Sequence, residues 1–142
     1  MSFVFHDTLQ LPSTNVYDQR YISNSLYDPL YETGGGSPTF FTHMMNVYAR
    51  YHVDSVDIQA SLKTTGVDVL FAIIPAPSSH LGSFTTLDGM LELPSTTWER
   101  CTDNGNPATL IGHYLPAQID GVSPVANYVS YSGTLNSNPA VS

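Results

Sequence analysis

Residues 56–63 alternate without a break. Val56, Ile58, Ala60 and Leu62 are apolar, and Asp57, Gln59, Ser61 and Lys63 between them are polar. A period of two puts one kind of residue on each face of a pleated strand, which is incompatible with an amphipathic helix. Thr64-Thr65-Gly66 then offers a turn, and residues 67–74 form an almost continuous apolar run closed by Pro75 and Pro77. Such a run reads as a strand buried on both faces. The expected fold class is therefore all-β.

The remaining segments are read against that core. Phe3, Phe5, Leu9 and Leu11 alternate with His6, Thr8 and Gln10, predicting a first strand broken by Pro12-Ser13-Thr14-Asn15. Residues 16–22 read as a second strand, and Asp28-Pro29 favours a turn because proline excludes the helical region at the preceding residue. Gly34-Gly35-Gly36 is a flexible loop. Ser37-Pro38 predicts a helix start, with Ser37 as cap and Pro38 in the first position. Phe40, Phe41, Met44, Met45 and Tyr48 then fall on one face of a short helix. Residues 78–87 are loop-like, and residues 90–93 form a short apolar patch. Residues 102–107 are a turn cluster. Residues 108–115 read as a strand, Tyr128, Val129 and Tyr131 as another, and the polar tail from Ser132 as frayed. No internal repeat or linker divides the 142 residues, which are read as one domain long enough to bury a core.

Charge is scarce. Charged residues make up 11% of the chain, against about 25% in ordinary soluble domains. Two readings stand: large neutral surfaces covered by neighbouring molecules, or a rigid secreted β-protein with a Ser, Thr, Asn and Gly surface. Only Arg20, Arg50, Lys63 and Arg100 are basic, against twelve acids, for a net charge of −8. Affinity for nucleic acid scales with the number of Lys and Arg contacts to phosphate, so any nucleic-acid-binding segment would have to lie outside these residues. The one cysteine, Cys101, excludes an internal disulfide and a multi-cysteine metal site. No apolar run approaches the roughly 18 residues that span a bilayer. The first seven residues lack the basic and long apolar segments of a secretory leader.

The catalytic inventory is empty, and no cofactor or metal is expected. His6, His43, His52, His80 and His113 have no metal-like spacing. No Gly-x-Ser-x-Gly elbow occurs, and the triple glycine lacks the lysine of a phosphate loop. Asp54 and Asp57, three apart in a strand, point to opposite faces, which argues against a glycosidase pair. Asp28 and Glu32 share a loop without a calcium-loop pattern. Cys101 beside Arg100 has no partnered base and reads as a structural thiol. Tyr17, Tyr21, Tyr27, Tyr31, Tyr48 and Tyr51 either complete the core at the sheet ends or stack on single-stranded nucleic acid. The lack of interleaved Lys and Arg disfavours the second role.

Two blocks carry a resemblance: Asn24-Ser25-Leu26-Tyr27-Asp28-Pro29 and Tyr48-Ala49-Arg50-Tyr51-His52-Val53. With the Gly/Pro-rich loop and short helix between them, their order and spacing are similar to the capsid proteins of circovirus-like single-stranded DNA viruses. In that family the first motif follows strand C of a jelly roll and the second opens strand D. Glu92-Leu93-Pro94 and Ile111-Gly112-His113-Tyr114-Leu115-Pro116 resemble later family features more weakly. The match covers roughly residues 1 to 76. Two departures stand out. The basic N-terminal arm of the family is absent, and so is its aromatic last-strand region, Trp98 being the only tryptophan.

The resemblance implies a single jelly-roll β-sandwich over residues 1–142, incomplete at both ends, with a short helix between strands C and D. It implies self-assembly into an icosahedral capsid, a location in the virion, and assembly in the host cell nucleus. The implied partners are further copies of the chain and viral single-stranded DNA, the latter held by a basic arm outside this sequence, with no membrane. Expected subunit contacts are Tyr27, Asp28, Pro29, Tyr31, Pro38, His80 and Asp88. Arg50 and Tyr51 are expected to face the interior or the genome. The alternative is a secreted, lectin-like β-sandwich whose exposed tyrosines stack on sugars. An enzyme has no supporting constellation.

Overall fold

The computed structural model describes residues 1–11, 17–30, 36–77, 87–103, 105–116, 132–134 and 136–139. Strand predominates over helix among them, consistent with an all-β fold. In chain order the elements are α1 (Phe41–Met45), β1 (Tyr51–His52), β2 (Val56–Leu62), β3 (Val69–Ile73), α2 (Leu87–Leu91), β4 (Thr97–Cys101), β5 (Ala108–Tyr114) and β6 (Ser132–Gly133). Each pairing is antiparallel, and the pairs nest: β1 with β6, β2 with β5, β3 with β4. The chain divides into two compact units, Met1–Asp54 with Ser123–Ser142, and Ser55–Val122. No helix among the described residues is long and apolar enough to cross a membrane.

In the unit Ser55–Val122, β2 keeps the alternation of the sequence. Val56, Ile58, Ala60 and Leu62 are half-buried, and Asp57, Gln59 and Ser61 are exposed. β5 answers in register, with Leu110 and Tyr114 buried opposite Ala60 and Val56. On the outer face Ser61 and Thr109 hydroxyls meet at 3.0 Å, and His113 Nδ1 lies 2.7 Å from Asp57 Oδ1. Cross-strand pairs of this kind fix register, because a one-residue slip exchanges the two faces.

β3 is shorter than the apolar run that contains it, and it is not sealed on both faces. Val67 and Leu70 are exposed. An apolar run reports strand propensity, whereas two-sided burial requires a covering layer on each face. The segments that precede β3 and follow β4 meet at one end of the ribbon and are latched together. Asp68 accepts from Arg100 at 2.6 Å and from the Asp103 amide at 3.1 Å, and Asp103 accepts from the Gly66 amide at 2.7 Å. The Asp103 amide and then Arg100 hold the Asp68 carboxyl below its usual range. Asn104 lies outside the described residues; Gly66 and Gly105, within the segments read as turns, sit at φ 88° and 75°, which only glycine adopts readily. Cys101, buried between them, donates its thiol to the Leu62 carbonyl at 3.3 Å, the structural role anticipated for it. The apolar patch at 90–93 belongs in part to α2, a helix missed in the sequence because Gly89 interrupts a five-residue element.

The unit Met1–Asp54 with Ser123–Ser142 departs further from expectation. Residues 1–11 and 17–20 contain no strand, and Tyr21 makes a single bridge to Leu30. The alternation survives as packing only at Phe3 and Phe5, half-buried beside an exposed Val4, while Leu9 and Leu11 of the same predicted face are exposed. A period of two specifies a buried face and is silent on whether a neighbouring backbone is there to pair with. Ser37 does not cap α1. The helix begins at Phe41, and the Ser37 hydroxyl donates instead to the Tyr27 carbonyl at 2.7 Å. Only Phe41 and Met45 of the predicted helical face are buried, while Phe40 and Tyr48 are exposed. The tail expected to fray supplies β6, whose Ser132 and Gly133 pair with His52 and Tyr51. Tyr128, Val129 and Tyr131 lie outside the described residues.

Gly112 carries a testable consequence. The Tyr114 ring lies over it, inside the space that a Cβ would occupy. Gly112→Ala is expected to destabilise the protein by about 1–3 kcal/mol through displacement of that ring. Chemical denaturation of the two proteins measures the difference.

Candidate functional site

The two sequence blocks meet in space. Residues 21–30 form a loop closed at its base by the Tyr21–Leu30 bridge and by the Ile22 amide donating to the Pro29 carbonyl at 2.7 Å. A loop closed in this way buries polar groups at its centre, and Asn24 and Ser25 are 2% and 4% exposed. Buried polar groups need partners, and the Ser25 hydroxyl and the amides of Leu26, Tyr27 and Asp28 find theirs on distant segments.

Tyr51 is the first of them. Its hydroxyl oxygen accepts from the backbone amides of Leu26 at 3.1 Å and Tyr27 at 3.2 Å. The ring below packs edge-on to Phe41, with centroids 5.4 Å apart, and Phe41 in turn meets Phe3 edge-on at 6.3 Å. Across the β1–β6 pair the Tyr51 ring covers Gly133, filling the space a side chain there would need. Asn138 is the second partner. Its Oδ1 accepts from the Ser25 hydroxyl and from the Asp28 amide, the latter at 3.2 Å, and Ser25 Oγ accepts from the same amide at 3.1 Å. Ser37 is the third, through the Tyr27 carbonyl. The loop is thus held by one residue before the helix, one after it, and one near the end of the chain.

This geometry assigns the expected contact residues to different places. Tyr27 is exposed on a backbone held from both sides, and Asp28 is half-buried with its amide engaged. Pro29 and Pro38 are buried, so they chiefly shape the unit from within. Asp88 is exposed in the first turn of α2, in the other unit. Tyr31 and His80 lie outside the described residues. Arg50 is exposed beside Tyr51, but Tyr51 itself is half-buried with ring and hydroxyl both occupied. Tyr51 is a structural hub, and a direct genome contact would require breaking it open. Asn138, Ser37 and Gly133 escaped the sequence reading, because nothing local marks a hydrogen-bond partner or cross-strand neighbour 10 to 113 residues away.

Among the described residues no group of three or more His, Cys, Asp or Glu is placed to hold a metal ion. The titratable clusters are pairs: His113 with Asp57, His52 with Asp54 at 3.7 Å, and Tyr21 with Asp7 at 3.0 Å. Burial, together with the hydrogen bond to the Asp7 carboxylate, pushes the Tyr21 phenol up to about 12. Comparison of the chain with family models, curated proteins and solved structures finds no match.

Two outcomes follow. Tyr51→Phe removes an acceptor from two backbone amides while keeping the ring, and a loss of about 1–2 kcal/mol is expected, read from thermal or denaturant unfolding. The Tyr21 phenol holds its proton more tightly folded than unfolded. Its contribution to stability is therefore complete below its ordinary value of 10.0 and is lost as pH rises through about 12. Tyr21→Phe should flatten that alkaline loss relative to wild type in unfolding measured across the same interval.

Proposed function

We propose that the chain is a shell-forming protein with a jelly-roll fold, the subunit of an icosahedral capsid around a single-stranded DNA genome, as its resemblance to circovirus-like capsid proteins implies. The observation that carries the reading is the nesting of the strand pairs, first with sixth, second with fifth and third with fourth. A jelly roll is a long antiparallel hairpin rolled on itself, and nested pairing is what that construction requires. A meander would pair consecutive strands instead.

The surface supports the same reading. Large apolar side chains are exposed in both units, among them Phe40, Val47, Trp98 and Ile111. Subunits of a shell bury such residues against neighbours, and symmetric packing repeats each contact around the particle. The cations support a genome role only through residues beyond this chain. Arg20 is bound to Asp18 at 2.8 Å and Arg100 to Asp68, so two of the four bases are already paired with carboxylates. Location in the virion and nuclear assembly follow from the resemblance alone.

One observation favours the lectin-like alternative. Trp98 is 53% exposed opposite the small Ala72, toward the end of the ribbon away from the Arg100–Asp68 pair. An open indole is a platform on which a sugar ring can stack.

Electron microscopy of the purified chain separates the two. The capsid reading expects closed shells of uniform diameter. A monodisperse monomer at high concentration that binds glycans on an array would overturn it in favour of the lectin.

A further inference from the structure

The helix α1 opens with an anomaly. Phe40 and Phe41 are consecutive, yet Phe41 is 1% exposed and Phe40 is 69% exposed. Phe40 occupies the left-handed region, at φ 68°, with no side-chain cap on the helix it precedes. A bulky residue is disfavoured there, because its Cβ crowds the backbone, and glycine is the residue that fits. The twist turns one ring into the interior and the next one out. The outward ring finds little within the unit: an edge-on approach to His43 at 6.0 Å. Strain at a site that gains nothing from internal packing points to a use outside the unit.

The surroundings have the same character. Val47 is 74% exposed and Tyr48 54% exposed, just beyond the end of α1. A groove of about 660 Å³ runs between residues 1–6 and 37–44, with Phe40 on its lining beside Phe3, Pro38 and Met44. The twelve acids and four bases of the chain all lie outside residues 1–6 and 36–49. The region therefore has no charged side chain, in a molecule whose net charge is −8.

Charge selects the occupant. Two molecules that each carry −8 repel wherever their acids face one another, and approach most closely where neither contributes a charge. A basic partner would be drawn to the acids and would gain nothing here. The surface also presents an exposed ring and a groove together, the two halves that a self-complementary contact requires. We propose that the groove and the exposed Phe40, Val47 and Tyr48 form a contact between copies of this chain, with Phe40 as its anchor. This deepens the shell reading and rests on it for the closed form of the assembly, though the contact itself stands on the charge and exposure given above.

The test is sedimentation velocity of the full chain over a concentration series, for wild type, Phe40→Gly and Val47→Asp, with Gln59→Ala, at an exposed polar position of β2, as a control in the other unit. Phe40→Gly should leave thermal stability unchanged or raised, because glycine suits the backbone, while weakening association by about tenfold or more, as loss of a buried aromatic anchor does. Val47→Asp should weaken association similarly by placing like charges in the contact, and it decides the matter if the glycine variant fails to fold. Shells formed equally by wild type and both variants would overturn this contact and leave the shell reading standing. Small oligomers in wild type that both variants abolish would support the contact and overturn the shell. A wild-type monomer at every concentration would overturn both.

Discussion

A single phenol organises the unit formed by Met1–Asp54 with Ser123–Ser142. Tyr51 lies on a strand of two residues that has little stability of its own. Its ring nevertheless closes over Gly133 and against Phe41, and its oxygen accepts two amides from the loop at residues 24–29. Each contact is worth little alone. Together they join four segments that no continuous ladder connects. The loop in turn buries Asn24 and Ser25, and the Ser25 hydroxyl is met there by Asn138 from near the end of the chain. Removing the hydroxyl leaves amides without an acceptor, and removing the ring leaves Phe41 with only the Phe3 ring against it.

The other unit relies on a more ordinary device. β2 and β5 are long enough to hold register by alternation, and their exposed faces add paired hydroxyls and the His113–Asp57 contact. Asp68 then ties the turns at the end of the ribbon through Arg100 and the Asp103 amide. Scarcity of charge gives these few polar contacts their weight. It also leaves a surface on which Phe40, Val47, Trp98 and Ile111 stand in water. The first two, with the groove beside them, lie where no charge opposes a second copy.

Legibility in the sequence tracked how local each determinant is. β2 was read almost to the residue, because side-chain alternation is a property of one strand and needs no partner to be seen. β5 and the glycine turns at 66 and 105 were read for similar reasons. The segment 3–11 had the same alternation and formed no strand, since pairing depends on a second backbone that the pattern does not describe. Ser37 had the chemistry of a cap and spent it on the Tyr27 carbonyl. The two blocks at 24–29 and 48–53 were recognised as a pair, yet the tyrosine oxygen that joins them was not. Tyr51 is expected from the resemblance to face the interior of a shell or the genome, and the structure shows it half-buried with ring and hydroxyl engaged within its own unit. Asn138 and Gly133 had no signal, because their roles exist only after the chain has folded back on its beginning.

The nested order of the strands is the claim on which the rest depends, and solution NMR tests it without reference to assembly. Cross-strand contacts between backbone protons should link Tyr51 to Gly133, Ile58 to Gly112 and Phe71 to Glu99, the pairs set by the antiparallel registers. Their joint appearance is the predicted result. Contacts between β2 and β3 in their place, as consecutive strands of a meander would give, would contradict the nested fold and the jelly-roll reading built on it.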